Sequence, residues 1–188
     1  MPAALHFTGD DEADRLLAED PLALLIGFAL DQQVTVQKAF AGPLELQRRL
    51  GKLDAAQLAG MDAGELEQVF RTKPALHRFP GAMATRVQEL ARTIVSDYGG
   101  DAGAVWNGAA DSADLKQRIE SLPGFGEMKV KSLGAVLAKR FGVASAEPLV
   151  PSHPTLGDVD SVDALNAYQA AKREHKAAVK RGEQGPWG

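Results

Sequence analysis

The chain of 188 residues contains no cysteine. That excludes disulfides, thiolate metal centres and iron–sulfur clusters, and it fits a reducing, cytoplasmic setting. The N-terminus lacks a basic segment followed by an apolar run, so no signal peptide is expected. The longest apolar run, PLALLIGFAL at 21–30, falls well short of the roughly 20 residues that cross a bilayer, and no membrane partner is expected. No stretch alternates polar and apolar residues long enough to make a strand, and no internal repeat is present. Glycine loops of the Walker or dinucleotide type are missing. The four histidines are scattered and form no metal-ligand spacing, so no metal held by side chains is expected.

Strong net charge is missing too. The formal balance is −4, which at first argues against a polyanionic partner. Residues 1–31, however, hold seven acids (Asp10, Asp11, Glu12, Asp14, Glu19, Asp20, Asp31) and one base, Arg15. Of 21 basic and 25 acidic residues in all, that leaves 20 and 18 for the rest, which is weakly positive.

What is present is helix. The patterning predicts an all-α chain of about eight short helices. Asp20-Pro21 supplies an N-cap acceptor followed by Pro at the first helical position, and LALLIGFALDQQ reads as a buried central helix ending in a Gln-bearing turn. Gly42-Pro43 predicts a break, with Leu44 or Leu46 and Leu50 facing inward beyond it. Asp54 and Asp62 open two short helices. Pro80-Gly81 opens a longer one, with Met83, Val87, Leu90, Ile94, Val95 and Tyr98 on its inner face and Gly99-Gly100 at its end. Residues 144–161, with three Pro, read as an irregular loop or crossing linker. A basic helix follows over about 162–181, and the last residues are expected to fray.

The stretch LPGFGEMKVKSLGAVLAKRFG, 122–142, reads as a tight turn between two helices, a helix-hairpin-helix over 112–141. Glycines at 124 and 126 permit positive φ and close approach of the backbone to another molecule. The turn feeds a helix N-terminus whose free N–H groups attract anions, DNA phosphate among them. In the second helix Val130, Leu133, Gly134, Leu137 and Phe141 share the inner face, Lys129 and Lys131 flank it, and Met128 points away. The same pattern also suits a helix pair that only packs and carries solvated lysines.

This stretch resembles the hairpin of the HhH-GPD superfamily of base-excision DNA glycosylases, which has the form Leu-Pro-Gly-hydrophobic-Gly. LIGFALDQQVTVQKAF resembles a second feature of that family, a buried helix ending in a Gln-containing turn that faces the minor groove. KPALHRFPGAMATRVQELA and the basic tail resemble a small actinobacterial-type branch of HhH-GPD base-excision repair proteins. The resemblance implies one HhH-GPD-like domain over 1–188, two helical lobes around a cleft, acting as a monomer on damaged double-stranded DNA in the nucleoid-containing cytoplasm. A hairpin alone also occurs in ligases, polymerases and nucleotide-excision proteins.

Carried over by position, the resemblance gives Leu122, Gly124 and Gly126 the phosphate grip, and K⁺ or Na⁺ a place on the turn carbonyls, with no other cofactor. Gln33, with its neighbour Gln32, falls where the family fills the gap left by an extruded base, a step that costs a few kcal/mol. Both amides would otherwise cap the helix end. Bifunctional members carry a lyase lysine where this chain has Met128. Lys129 lies about 100° further around the helix, so a monofunctional hydrolase is expected, with Lys129 and Lys131 neutralising phosphates. Counting to the family's catalytic Asp reaches Ala146, with Glu147 adjacent; Asp158 and Asp160 are the next carboxylates. Asp158 and Glu147 are the candidates for the charge that activates water or stabilises the sugar cation, although Asp158 and Asp160-Ser161 also suit caps of the last helix. Phe28, His77 and Tyr98 are the candidate base-pocket residues, with Phe79 and Trp106 as further aromatics. The alternatives are a non-catalytic DNA-binding module that keeps the hairpin and lacks the carboxylate, and a helical protein-interaction domain.

Overall fold

The computed structural model describes residues 2–187. Their order is α1 (Asp11–Glu19), α2 (Pro21–Leu30), α3 (Val36–Leu50), α4 (Ala55–Gly60), α5 (Ala63–Arg71), α6 (Pro80–Tyr98), α7 (Ala104–Asn107), α8 (Ser112–Glu120), α9 (Glu127–Phe141), two 3-10 segments (Ala144–Leu149 and Leu156–Asp158) and α10 (Val162–Lys180). No strand occurs among the described residues, and none of their helices is long and apolar enough to cross a membrane. By contact the helices sort into α1–α6 and α7–α10, and a single apolar core runs through both groups.

Local chemistry starts the helices. Asp20 accepts the Leu22 N–H at 2.8 Å ahead of Pro21, Asp54 accepts the Gln57 N–H at 2.8 Å, and Asp62 accepts the Glu65 N–H at 3.0 Å. Every residue from Leu22 to Leu30 is buried, as an all-apolar helix requires.

The expected break at Gly42-Pro43 does not occur: both lie inside α3. Pro43 costs the helix one N–H bond, yet α3 continues through it, packed on α2. Gly42 is there for contact, since a Cβ would come 2.5 Å from Leu30 Cδ1; at Gly27 one would come 2.4 Å from the Phe40 ring. These two glycines let α2 and α3 close on each other. Leu44 and Leu46 are buried, and Leu50 is partly so.

One further expectation is corrected. Val95 is exposed on α6 and is not part of its inner face. Up to Trp187 the tail is packed: Gly182 adopts φ +76, Glu183 donates its N–H to the Ala178 carbonyl, and the chain folds back along α10. Trp187 then stacks against His153, Tyr168 and His175 at centroid distances of 5.6, 5.8 and 5.2 Å. Ser161 caps α10, accepting the Ala164 N–H, so neither Asp158 nor Asp160 does.

Candidate functional site

The hairpin forms over the expected residues. Asp111 caps α8, whose buried Leu115 and Ile119 pack into the core along with Leu122 and Phe125. The turn closes with Phe125 donating its N–H to the Leu122 carbonyl at 3.1 Å, and Gly124 takes φ +79. Gly124 is required for a second reason. A Cβ there would lie 1.9 Å from Nη1 of Arg86, whose guanidinium from α6 lies across the turn.

Gly126 is the N-cap of α9 and offers no side-chain oxygen, so the first N–H groups of α9 stay open. A Cβ on Gly126 would meet nothing within 4 Å. The turn therefore faces solvent with the positive end of α9 and with Arg86, which has no ion-pair or hydrogen-bond partner among the described residues.

Gln32 lines the same shallow groove of about 340 Å³ as Arg86, Gly124 and Gly126. Two features distant in sequence thus meet at one surface. Gln32 and Gln33 are both exposed, and neither side chain caps the end of α2. Gln33 has φ +57, a left-handed conformation that non-glycine residues seldom adopt and that clusters at functional sites. Its side chain lines a wider cavity of about 440 Å³, bounded on α10 by Lys172, Arg173 and Lys176.

Behind the groove lies a chamber of about 180 Å³ between α2, α9 and α10, with Phe28, Asp31, Met128, Lys129, Tyr168 and Trp187 on its walls. Here the placement of Lys129 departs from expectation. Its ammonium turns inward, donates to the Ala29 carbonyl at 3.3 Å and lies 5.7 Å from the Phe125 ring centroid, while the residue borders both the groove and the chamber. Burial lowers its pKa to about 8; Asp31 opposes that shift and Arg86 adds to it. Lys131 is paired with Glu127 at 3.0 Å and is only partly available to a phosphate. Met128 is largely exposed and borders both groove and chamber.

The predicted base pocket is brought together only at Phe28, a buried ring set edge-on to Phe40 that touches the chamber wall. His77 is structural. Its Nε2 bonds to the Leu30 carbonyl at 3.0 Å and its Nδ1 accepts the Phe79 N–H at 2.9 Å, which makes it a neutral bridge at the end of α2. Burial holds its pKa down, against the pull of those carbonyl contacts. Tyr98 lies beside Arg118 and Asp114 of α8, away from the chamber.

Neither candidate carboxylate is free at the chamber. Asp158 closes a capping box with Thr155 and pairs with Lys139. Burial pushes its pKa up, but the Lys139 and Thr155 hydrogen bonds outweigh burial and hold it low. Glu147 is exposed on the first 3-10 segment, which packs on α8 and α9, and it does not border the chamber.

The sequence reading missed Asp31, Arg86, Tyr168 and Trp187. Asp31 carries the carboxylate that does face the chamber. Burial raises its pKa, and the charges of Lys172, Lys129 and Lys176 pull it back in part. Tyr168 is pushed up to about 12 by burial, with Asp31 and Asp158 adding to the shift, so its hydroxyl stays protonated. No group of three or more His, Asp or Glu side chains is placed to hold a metal among the described residues. No protein-family model matches the chain, and no curated protein matches it; any functional reading rests on this geometry.

Proposed function

We propose that this chain is a DNA base-excision protein that grips duplex DNA at the hairpin and hydrolyses the N-glycosidic bond of one extruded, damaged base. The observation that carries the proposal is the meeting of hairpin and Gln-bearing turn at one groove, with a chamber adjoining it across Met128 and Lys129. A phosphate fits the open N–H groups of α9 beside Arg86. Gln32 and Gln33 stand exposed where an emptied base stack would need filling. Lys172, Arg173 and Lys176 extend the cationic surface along α10.

A monovalent cation, K⁺ or Na⁺, belongs to the same proposal. The Leu122 carbonyl carries one hydrogen bond, from Phe125, so its second lone pair is available to such an ion. The ion would neutralise charge beside the bound phosphate and takes no part in bond cleavage. Met128, at the position of the family's lyase lysine, supports hydrolysis without strand scission.

Single-turnover cleavage of end-labelled duplexes tests the reading. Each duplex carries uracil, an oxidised guanine, an alkylated purine, hypoxanthine or a mismatch. Breaks that appear only after alkali are the expected result and name the substrate. Breaks without alkali overturn the assignment of a hydrolase lacking lyase activity. Salt-sensitive binding with no cleavage on any lesion favours the second reading, a DNA-binding module. The engagement of Asp158 by Lys139 and Thr155 speaks for that alternative.

A further inference from the structure

Asp31 and Lys129 sit where helix electrostatics disfavours them. Asp31 is the C-cap of α2, at the negative end of a helix, whereas Lys129 lies in the first turn of α9, at a positive end. Neither placement helps the helix that carries it. Residues that break a local rule without a local gain mark functional positions. The two ends converge on the chamber, and both side chains line it.

The surroundings separate Asp31 from Asp158 and Glu147. Its side chain takes part in no hydrogen bond or close ion pair among the described residues, and it borders both the chamber and the cavity under Gln33. Asp158, by contrast, has both oxygens engaged. Tyr168 and Phe28 beside Asp31 supply the apolar, water-poor setting in which a charge acts strongly.

Resting on the base-excision reading, we propose that Asp31 and Lys129 are the base and the acid of glycosidic hydrolysis in this chamber. Asp31 accepts a proton from water as the water oxygen bonds to C1′ of the extruded nucleotide. The C1′–N bond breaks, its electron pair stays with the base, and Lys129 delivers a proton to that nitrogen. The products are a C1′ hydroxyl and a neutral free base. The proton on Asp31 then passes to the Lys129 amine, directly or through water, and the starting charges return.

The pair requires an ionised Asp31 and a charged Lys129, so the rate rises as Asp31 ionises and falls above about pH 8, where Lys129 loses its proton. The groups that face the pair are Lys172, Lys176 and Tyr168 from α10, Arg86 from α6 and His153 from the segment before α10. The Lys129 limb is the diagnostic one.

Asp31→Asn and Lys129→Gln are compared with the parent on the lesion it cleaves, with DNA binding measured alongside. Loss of about 100-fold or more in the single-turnover rate, with binding retained, is expected for Asp31→Asn. In Lys129→Gln the residual rate loses its fall above pH 8. A second readout needs no DNA. The Lys129 amine, followed by NMR after reductive ¹³C-methylation, should titrate near 8 in the parent and lower in Asp31→Asn. Parent-like cleavage by Asp31→Asn, or an unmoved Lys129 midpoint, overturns this assignment alone. A parent chain that binds DNA and cleaves no lesion overturns the excision reading and this assignment with it.

Discussion

On one side of the chamber stand α2 and α9, with residues 22–30 of α2 and the inner face of α9 buried. On the other stands α10, whose 19 residues include only Leu165 and Ala178 as buried members. The first wall is set by close contact, down to glycines that admit a neighbouring side chain. The second is strapped on by a Gln37–Gln169 amide pair, by the 3-10 segment Leu156–Asp158 and by the stacked Trp187. On the proposed reading, chemistry and adaptability are divided between them. Asp31 and Lys129 project from the fixed wall, where sub-ångström placement can be held. Lys172, Arg173 and Lys176 ride on the strap, where long flexible cations can follow a phosphate backbone.

The sharpest way to break this contrast is to overfill the fixed wall. Gly27→Val would drive a branched side chain into the buried Phe40 ring, already 2.4 Å from an added Cβ. Overpacking of this kind costs about 3 kcal/mol, and in a chain of this size Tm falls by about 6–12 °C. Thermal and urea unfolding measure it. A variant as stable as the parent would show that α2 and α3 can separate cheaply, and the wall would not be rigid.

His77→Ala comes next, at about 2 kcal/mol, because it leaves the Leu30 carbonyl and the Phe79 N–H without partners. Its pH signature is distinct. The folded state holds the imidazole below its ordinary value of 6.5, so the unfolded chain binds the proton first as pH falls. This contribution is complete above about pH 6.5 and is lost below it. Urea midpoints at pH 7.5 and 5 should converge between parent and variant if His77 carries it.

Much of the fold was legible in the sequence. Asp20, Asp54 and Asp62 announce helix starts through chemistry confined to a few residues, and Gly124 and Gly126 mark the hairpin turn in the same way. Gly42-Pro43 shows the limit. A local signal for a break was overridden by contacts with Leu30, twelve places before Gly42 in a different helix. The site was less legible, because it is made where distant segments meet. Arg86 reaches Gly124 from α6, and Lys129 turns toward Ala29 and Asp31; no spacing rule encodes either. One signal was available. An acid ending an all-apolar helix and a base in the first turn of another both oppose the helix dipole.

Smaller effects belong to binding. Arg86→Ala should weaken duplex affinity about fivefold to tenfold and lower the salt slope by about one unit, the signature of one lost phosphate contact. Fluorescence anisotropy over a series of salt concentrations would show it. Lys172→Ala should do less, about twofold to threefold, because Arg173 and Lys176 on the same strap can take up the contact. Equal losses at the two positions would mean that the strap is held as rigidly as the hairpin.

Trp187→Ala should disturb global stability least, by under about 0.5 kcal/mol, even though the indole stacks on three rings. The reason lies in what the stack closes. It ties a folded-back tail to a helix with few buried residues, a region that can open without exposing the core. Amide exchange should therefore quicken over 163–180 while that of α9 stays unchanged. Of the two tryptophans, Trp106 is buried under α8, so its emission reports the core and the indole at 187 reports the strap. A Trp187→Ala chain that unfolds as early as Gly27→Val would place α10 within the cooperative core. The chamber would then have two fixed walls, and the cations on α10 would be as positioned as Asp31.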